Sequence, residues 1–219
     1  VERILVEERI DVVVHAAGGV GGIAANIADP VAFYADNVLI GTAVVLGADA
    51  AGVGRLVNLS SSCAYPRDRE LLSEDDLLTG ALEPTNEGYA IAKIGTDRLC
   101  EWVAARGGAS RRYRTLVPCN LYGPHDHFAG ERAHLVAAAL AKTIAAHERG
   151  DETIEIWGDG LARREFMHVH DLCGALLHVL PQLHRLPPRL NVGAGRDATV
   201  LEHYRAAALA VGWHGAYEH

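Results

Sequence analysis

The chain has 219 residues, of which 49% are hydrophobic, so its length suits one ordinary domain or one and a half, with a substantial core. Its formal net charge is -8, and Arg111-Arg112 is the one basic cluster that stands out, which argues against a nucleic-acid partner. The four cysteines lack C-x-x-C spacing and indicate reduced thiols of a cytoplasmic protein, and no apolar run reaches the length that would cross a membrane.

Strand and helix patterns alternate along the chain. In order, we predict a helix over 1–9, a strand over 11–17, a helix over 30–51, a strand over 55–60, a helix over 88–105 and a strand over 112–117. After Gly123-Pro124 the elements become shorter, and we predict a helix over 134–148, strands over 153–157 and 164–168, a helix over 171–180, a strand over 190–192 and a helix over 200–211. This alternation indicates βαβ units and an α/β fold with a mostly parallel sheet. The loops over 124–132 and 158–163 are the predicted lids.

Tyr89 and Lys93 lie four residues apart in the predicted helix over 88–105, so their side chains share one face. A nearby ammonium favours the phenolate, and we therefore expect Lys93 to lower the pKa of Tyr89. Such a tyrosine can exchange a proton with a carbinol oxygen. The spacing alone also occurs on ordinary surfaces, so its meaning depends on the other motifs.

Hydroxyls and a thiol follow the predicted strand over 55–60, in the run Ser60-Ser61-Ser62-Cys63. In open α/β sheets the carboxyl ends of the strands form the edge at which ligands bind. A serine at this edge can hold a carbonyl oxygen while a tyrosine exchanges a proton with it. The alternative is that these serines only cap the strand or begin a turn.

Ser61, Tyr89 and Lys93, in this order, resemble the short-chain dehydrogenase/reductase superfamily in its extended, sugar-nucleotide-modifying branch. Within that branch, further motifs are similar to those of the GDP-L-fucose synthase family. These motifs are Val20-Gly21-Gly22-Ile23-Ala24-Ala25-Asn26, Ser61-Ser62-Cys63-Ala64-Tyr65-Pro66, Leu82-Glu83-Pro84-Thr85-Asn86-Glu87, Asn120-Leu121-Tyr122-Gly123-Pro124-His125-Asp126 and Arg164-Glu165-Phe166-Met167-His168-Val169. The resemblance implies a Rossmann-like, doubly wound sheet in a dinucleotide-binding domain over 1–123. A smaller, mainly substrate-binding domain would follow over 124–219, with segments that return to the sheet.

The resemblance also implies a bifunctional enzyme. It would epimerise a nucleotide 4-keto-6-deoxyhexose, in this family GDP-4-keto-6-deoxymannose, at C3 and C5, and then reduce C4 with NADPH or, alternatively, NADH. Tyr89 would be the acid for the carbonyl, Lys93 would also hold the nicotinamide ribose, and Ser61 would hold the sugar carbonyl. Cys63 would be the base and His134 the acid of the epimerisation. The alternatives are a buried thiol for Cys63 and a surface position for His134.

Other site residues follow from the same resemblance. The implied cofactor-lining residues are Ala16, Ala17, Gly18, Asn37, Tyr89, Lys93, Pro118, Asn120, Leu121 and His134. Lys142, Trp157 and Arg164 would receive the nucleotide diphosphate, although Trp157 could instead pack in the core. His125-Asp126-His127 and His168-Val169-His170 lack the spacing of a zinc pair, so we predict no metal.

The chain departs from the family pattern at several positions. Gly88 stands where a proline usually precedes the tyrosine, Lys142 where an arginine is usual, and His170 where an acidic residue is usual. No Gly-rich pyrophosphate fingerprint precedes the strand over 11–17. By resemblance, roughly the first quarter of a typical member would be absent, so we expect a fragment or a chain with a disordered N-terminus. These departures leave the nucleotide and the sugar open.

Two alternative functions remain from the sequence. One is a plain 4-ketoreductase or a 4-epimerase of another nucleotide sugar. The other is a non-catalytic dinucleotide-binding sensor or an inactive fragment. We also predict a homodimer, because the helices over 30–51 and 88–105 carry apolar residues on more than one face and could complete a four-helix bundle with a second copy.

Overall fold

The computed structural model describes residues 1–128 and 133–219. The helices are α1 (Glu2–Glu7), α2 (Ile23–Ala28), α3 (Pro30–Ala50), α4 (Glu87–Gly107), α5 (Leu135–Arg149), α6 (Val169–Val179) and α7 (Val200–Val211). The strands are β1 (Val12–His15), β2 (Arg55–Leu59), β3 (Arg112–Pro118), β4 (Asn120–Tyr122), β5 (Thr153–Glu155), β6 (Arg163–His168), β7 (Arg189–Val192), β8 (Asp197–Thr199) and β9 (Ala216–Glu218). The predicted α/β fold class is confirmed.

The described chain divides into two compact units, of which the first comprises residues 1–119 and 171–192. Its sheet has the strand order β1-β2-β3-β7, and every pairing is parallel. Leu56, Val57 and Leu116 are fully buried in this sheet. A parallel sheet covered on both faces favours such continuous apolar strands, and it brings the carboxyl ends of β1, β2 and β3 to one edge.

Helices α3 and α4 pack against each other in the first unit. Their contact is close at Gly41, because a Cβ atom there would lie 2.1 Å from the Oγ1 atom of Thr96. The buried Val45 of α3 and Cys100 of α4 belong to the same apolar cluster. The two helices therefore cover part of the sheet as a single layer.

The sequence analysis predicted that no apolar segment is long enough to cross a membrane, and helix α3 contradicts this prediction. This helix has 21 residues and passes that test on length and composition alone. A core helix of a globular protein can pass the same test, and Val45 and Ala48 of α3 are fully buried in the cluster shared with α4. Packing within the first unit therefore accounts for part of this apolar composition, because 22% of the apolar window is buried.

The second unit comprises residues 120–170 and 193–219. Its strands form the sheet β4-β6-β8, in which β8 is antiparallel to β6, and the parallel pair β5-β9. Helices α5 and α7 pack together over a cluster that contains Ile154, Tyr204 and Trp213. Of the predicted lids, residues 129–132 lie outside the described residues, and the loop over 158–163 turns at Gly158 and Gly160, both of which have a positive φ.

Candidate functional site

The end of β2 presents the predicted hydroxyl and thiol. Ser61 is in extended conformation and caps a short 3-10 helix over Ser62–Ala64, which carries Cys63. The Oγ atom of Ser61 accepts a hydrogen bond of 3.3 Å from the backbone N–H of Cys63. The turn therefore fixes both side chains relative to the same strand end.

Helix α4 brings Tyr89 to this strand end. The Tyr89 hydroxyl is hydrogen-bonded to the Ser61 side chain, and Cys63 lies close enough to act on it electrostatically. Burial is the largest cause that raises the Tyr89 pKa, Cys63 raises it further, and the hydrogen bond with Ser61 opposes them. The expected lowering of this pKa by Lys93 is therefore wrong for this site, because desolvation of the phenolate is the dominant effect.

Lys93 lies below the tyrosine ring rather than at its hydroxyl. Its Nζ atom is 5.6 Å from the centroid of the Tyr89 ring and donates a hydrogen bond of 3.1 Å to the carbonyl oxygen of Leu59. Burial lowers the Lys93 pKa. The ammonium is thus held at the carboxyl end of β2, where it can donate its other protons to a ligand.

The end of β1 contributes Gly18 to the same site. A Cβ atom on Gly18 would lie 2.7 Å from the Oδ1 atom of Asn37 and 3.6 Å from the Nζ atom of Lys93. Asn37 is buried and donates to the carbonyl oxygen of Gly19 at 3.0 Å. The structure therefore brings Gly18, Asn37 and Lys93 together, and a side chain at position 18 would require the buried Asn37 to shift.

His15 and Ser60 are two buried polar residues of this edge that the sequence analysis did not assign to the site. Burial, and then the charge of Lys93, lower the pKa of His15 to about 4. The buried Oγ atom of Ser60 has no hydrogen-bond partner within the described residues. The sequence signal for His15 was a histidine at the end of an apolar strand. The signal for Ser60 was its position directly after β2.

The remaining predicted cofactor residues lie at strand ends of their own units. Ala16 and Ala17 follow β1 and are exposed, and Pro118 ends β3. Asn120 and Leu121 lie on β4 of the second unit, where the Nδ2 atom of Asn120 donates to the carbonyl oxygen of Glu165 at 3.0 Å. Their contact with a cofactor stays a prediction.

A cavity of about 170 Å³ lies beside Tyr89 in the first unit, between the start of α3 and the start of α4. Asn26 and Asn86 line it, and the Oδ1 atom of each is buried without a hydrogen-bond partner among the described residues. The Nδ2 atom of Asn86 donates a hydrogen bond of 3.2 Å to the Sγ atom of Cys63. The sequence analysis quoted Asn86 within a motif and gave it no role.

The second unit has a larger cavity, of about 490 Å³, which is lined by α5 and β5. Lys142 lies in its wall, with its Nζ atom 5.8 Å from the Trp157 ring centroid and 2.9 Å from the carbonyl oxygen of Glu155, to which it donates. Trp157 is 79% exposed, so it does not pack in the core. Arg164 is also exposed. These side chains are accessible for the nucleotide contacts that the sequence predicts.

His134 directly precedes α5 and makes no side-chain capping hydrogen bond with that helix. It belongs to the second unit, so its role opposite Cys63 stays a prediction. Among residues 1–128 and 133–219, no three His, Cys, Asp or Glu side chains are grouped as a metal site would require.

The chain matches known proteins along most of its length. The model of the NAD dependent epimerase/dehydratase family matches residues 1–193. The chain is 43% identical to a GDP-L-colitose synthase from Yersinia pseudotuberculosis, covering 94% of this chain and 67% of that protein. It is 45% identical to a GDP-L-fucose synthase from Azorhizobium caulinodans, covering 99% of this chain and 69% of that protein. A solved GDP-mannoheptose C4 reductase from Campylobacter jejuni, with NADP bound, is 25% identical with a TM-score of 0.88, covering 99% and 74% of the two chains.

Proposed function

Because the chain belongs to the NAD dependent epimerase/dehydratase family, we propose that it is an NADPH-dependent epimerase/reductase of a GDP-linked 4-keto-6-deoxyhexose, GDP-4-keto-6-deoxymannose. One observation carries the proposal: a single strand end holds both a candidate proton donor for ketone reduction and a candidate carbon base. The first is Tyr89 on its hydrogen bond with Ser61, and the second is Cys63. The names of the relatives, GDP-L-fucose synthase and GDP-L-colitose synthase, support a GDP sugar.

Tyr89 is the proton donor of the reduction. The phenol is protonated at neutral pH, as a general acid requires, and burial raises its pKa further. Ser61 holds the C4 carbonyl oxygen, and the phenolic proton passes to that oxygen as the carbon receives hydride. Lys93, which is held at the end of β2 by its hydrogen bond to the carbonyl oxygen of Leu59, would hold the nicotinamide ribose.

Cys63 and His134 carry out the epimerisation. The thiolate removes a proton from C3 or C5, where the neighbouring C4 ketone stabilises the resulting enolate. His134 then returns a proton to the same carbon from the opposite face, which inverts the configuration. Each epimerisation removes one proton from the carbon and returns one proton to it, so the epimerisation needs no hydride.

The first unit suits a nicotinamide dinucleotide. The absence of a side chain at Gly18 lets a ligand approach the backbone beside Asn37, and the buried Ser60 hydroxyl and the Lys93 ammonium have donors to offer. A bound nicotinamide would supply the hydride. Ala16, Ala17 and Pro118 complete the proposed lining in this unit. Asn120, Leu121 and His134 of the second unit are proposed as further cofactor contacts on the family resemblance. We propose NADPH rather than NADH as the cofactor because the structures of two relatives were solved with NADPH or NADP.

The nucleotide diphosphate of the substrate is proposed to bind to the second unit. Trp157 and Arg164 are exposed there, and Lys142 lies in the wall of the 490 Å³ cavity. The lysine offers a point charge and the arginine a bidentate fork for phosphate oxygens. An exposed indole offers a flat surface for a nucleotide base.

We also propose that the protein is a cytoplasmic homodimer. Val31 and Leu39 of α3 are 73% and 67% exposed, and Trp102 of α4 is 58% exposed. A second copy that placed its own α3 and α4 on this face would cover these side chains and complete a four-helix bundle.

The test of the proposed function is a reaction in D₂O with GDP-4-keto-6-deoxymannose and NADPH. We expect deuterium at C3 and C5 of the sugar and NADPH oxidation as C4 is reduced. Cys63→Ser should suppress the deuterium at both carbons, because a hydroxyl is much less acidic than a thiol, while reduction of the ketone continues.

A second candidate, a plain C4 reductase, is favoured by the name of the solved C4 reductase. NADPH oxidation without deuterium at either carbon would establish this candidate and refute the epimerase half. Neither deuterium nor NADPH oxidation would refute the proposed enzyme and favour the inactive or sensor alternatives.

A further inference from the structure

Asn86 occupies the N-cap position of α4 without capping it. An asparagine at this position usually accepts a hydrogen bond from a backbone N–H in the first turn, which stabilises the helix. The Asn86 side chain makes no such bond. Its Nδ2 atom instead donates to the Sγ atom of Cys63 at 3.2 Å. The side chain thus forgoes its ordinary structural role to contact the sulfur.

The surroundings of Asn86 hold its backbone in place for this contact. The residue ends a short 3-10 helix over Pro84–Asn86, in which Glu83 accepts hydrogen bonds from the backbone N–H and the hydroxyl of Thr85. The Oδ1 atom of Asn86 is buried and lacks a hydrogen-bond partner among the described residues. The contact with Cys63 is therefore the interaction that orients the amide.

We propose that Asn86 is a positioning residue for Cys63, whose amide N–H fixes the sulfur and stabilises its anionic, proton-accepting form. A hydrogen bond to a charged group favours the charged state of that group. Asn86 is neutral, so it provides this effect without adding a charge beside Tyr89. The proposal rests on the proposed function only where it takes Cys63 as the carbon base.

Other groups around Cys63 bear on its ionisation. Helix α4, which packs against its turn, carries the ionisable Glu87, Tyr89 and Lys93. Each of these is unchanged when Asn86 alone is substituted. A comparison of Asn86 variants therefore isolates the contribution of the amide.

The variants Asn86→Ala and Asn86→Asp together test this role. Aspartate has nearly the same shape and is an equally good N-cap, so the start of α4 keeps its stability. The carboxylate, however, cannot donate to sulfur and repels the thiolate. Because this repulsion acts whatever the role of the amide, Asn86→Asp tests only whether the side chain at position 86 reaches the sulfur. Asn86→Ala adds no charge, so it tests the donated hydrogen bond itself: a purely structural role predicts an unchanged Cys63 profile, and the positioning role predicts a raised midpoint.

The readout is the pH dependence of Cys63 alkylation by iodoacetamide, followed by peptide mass spectrometry. We expect the midpoint of the profile to rise by about one pH unit in Asn86→Ala, which is about a tenfold slower alkylation below the midpoint, and further in Asn86→Asp. Cys173 is exposed and serves as the internal reference in every sample. Thr85→Ala, which removes a neighbouring hydroxyl that contacts Glu83, is the matched control and should leave the Cys63 profile unchanged.

A folded Asn86→Ala protein whose Cys63 midpoint is unchanged or lower overturns the proposal, because the amide would then either leave the thiolate unaffected or accept from the thiol rather than donate to the thiolate. Thermal melting of each variant shows that it is folded. The outcome is independent of the deuterium test. Wild-type protein that incorporates no deuterium, with a raised midpoint in Asn86→Ala, refutes the epimerase function and leaves the positioning role standing. Deuterium incorporation by the wild type, with Cys63 alkylation profiles unchanged in the Asn86 variants, supports the epimerase function and refutes the positioning role.

Discussion

We expect the buried His15 to make the protein sensitive to mild acid. The imidazole is 4% exposed, and burial together with the charge of Lys93 lowers its pKa from 6.5 to about 4. Above pH 6.5 the imidazole is neutral in both the folded and the unfolded chain, so it costs nothing. Below that value the unfolded chain binds a proton that the folded chain does not, and stability is lost as the pH falls toward 4.

The two pKa values set the size of this effect. At pH 5, the unfolded histidine is almost fully protonated and the folded one is about nine-tenths neutral, which costs about 2 kcal/mol of unfolding free energy. The loss approaches its limit of about 3 kcal/mol below pH 4. Such a loss is a large part of the stability of an ordinary domain.

Urea unfolding at pH 7 and pH 5 measures this loss in the wild type and in His15→Gln, which cannot titrate. Carboxylates also destabilise proteins in acid, so the quantity to compare is the change between the two pH values in each protein. His147→Gln removes an exposed histidine of α5 and is the matched control. We expect His15→Gln to lose about 2 kcal/mol less than the wild type or the control on going to pH 5. Equal losses in all three proteins would refute the argument from His15.

Three further predictions follow from the first unit. Tyr89→Phe should lower the rate of ketone reduction by about 10²–10⁴-fold while the protein stays folded. The control Tyr113→Phe, which removes a buried hydroxyl bonded to a backbone carbonyl, should reduce the ketone at the wild-type rate. NADPH oxidation at the wild-type rate by Tyr89→Phe would exclude Tyr89 as the acid. Gly41→Val should destabilise the protein by about 1–3 kcal/mol in urea unfolding, because its side chain would overlap Thr96, and an unchanged midpoint would contradict the close contact of α3 and α4. Leu39→Asp should shift the mass in light scattering from dimer to monomer at micromolar concentration, and a wild-type protein that is already monomeric would count against the proposed bundle.

The sequence was sufficient to predict the residues at the end of β2. Ser61 and Cys63 follow an apolar strand, so the local pattern places them at a sheet edge. Tyr89 and Lys93 are spaced by one helical turn, and the family resemblance placed that helical face beside Ser61. The direction of the Tyr89 pKa was not predictable in the same way. It depends on how deeply the hydroxyl is buried, and burial results from packing between distant segments.

Short elements and side-chain partners were missed for related reasons. Helix α2 and strands β4, β8 and β9 have three to six residues each, too few to show a periodic pattern. Asn86 lies 23 residues from Cys63 in sequence, and nothing in the spacing distinguishes an N-cap asparagine that caps its helix from one that turns toward a sulfur.

The three-residue turn after β2 also limits how the site can be altered by protein engineering. Ser61 and Cys63 emerge from the same turn, and the backbone N–H of one is bonded to the side chain of the other. An insertion or deletion in this loop would displace both residues at once. Separating the two half-reactions in a redesigned catalyst therefore requires a change of side-chain chemistry at a fixed backbone rather than a change of loop length.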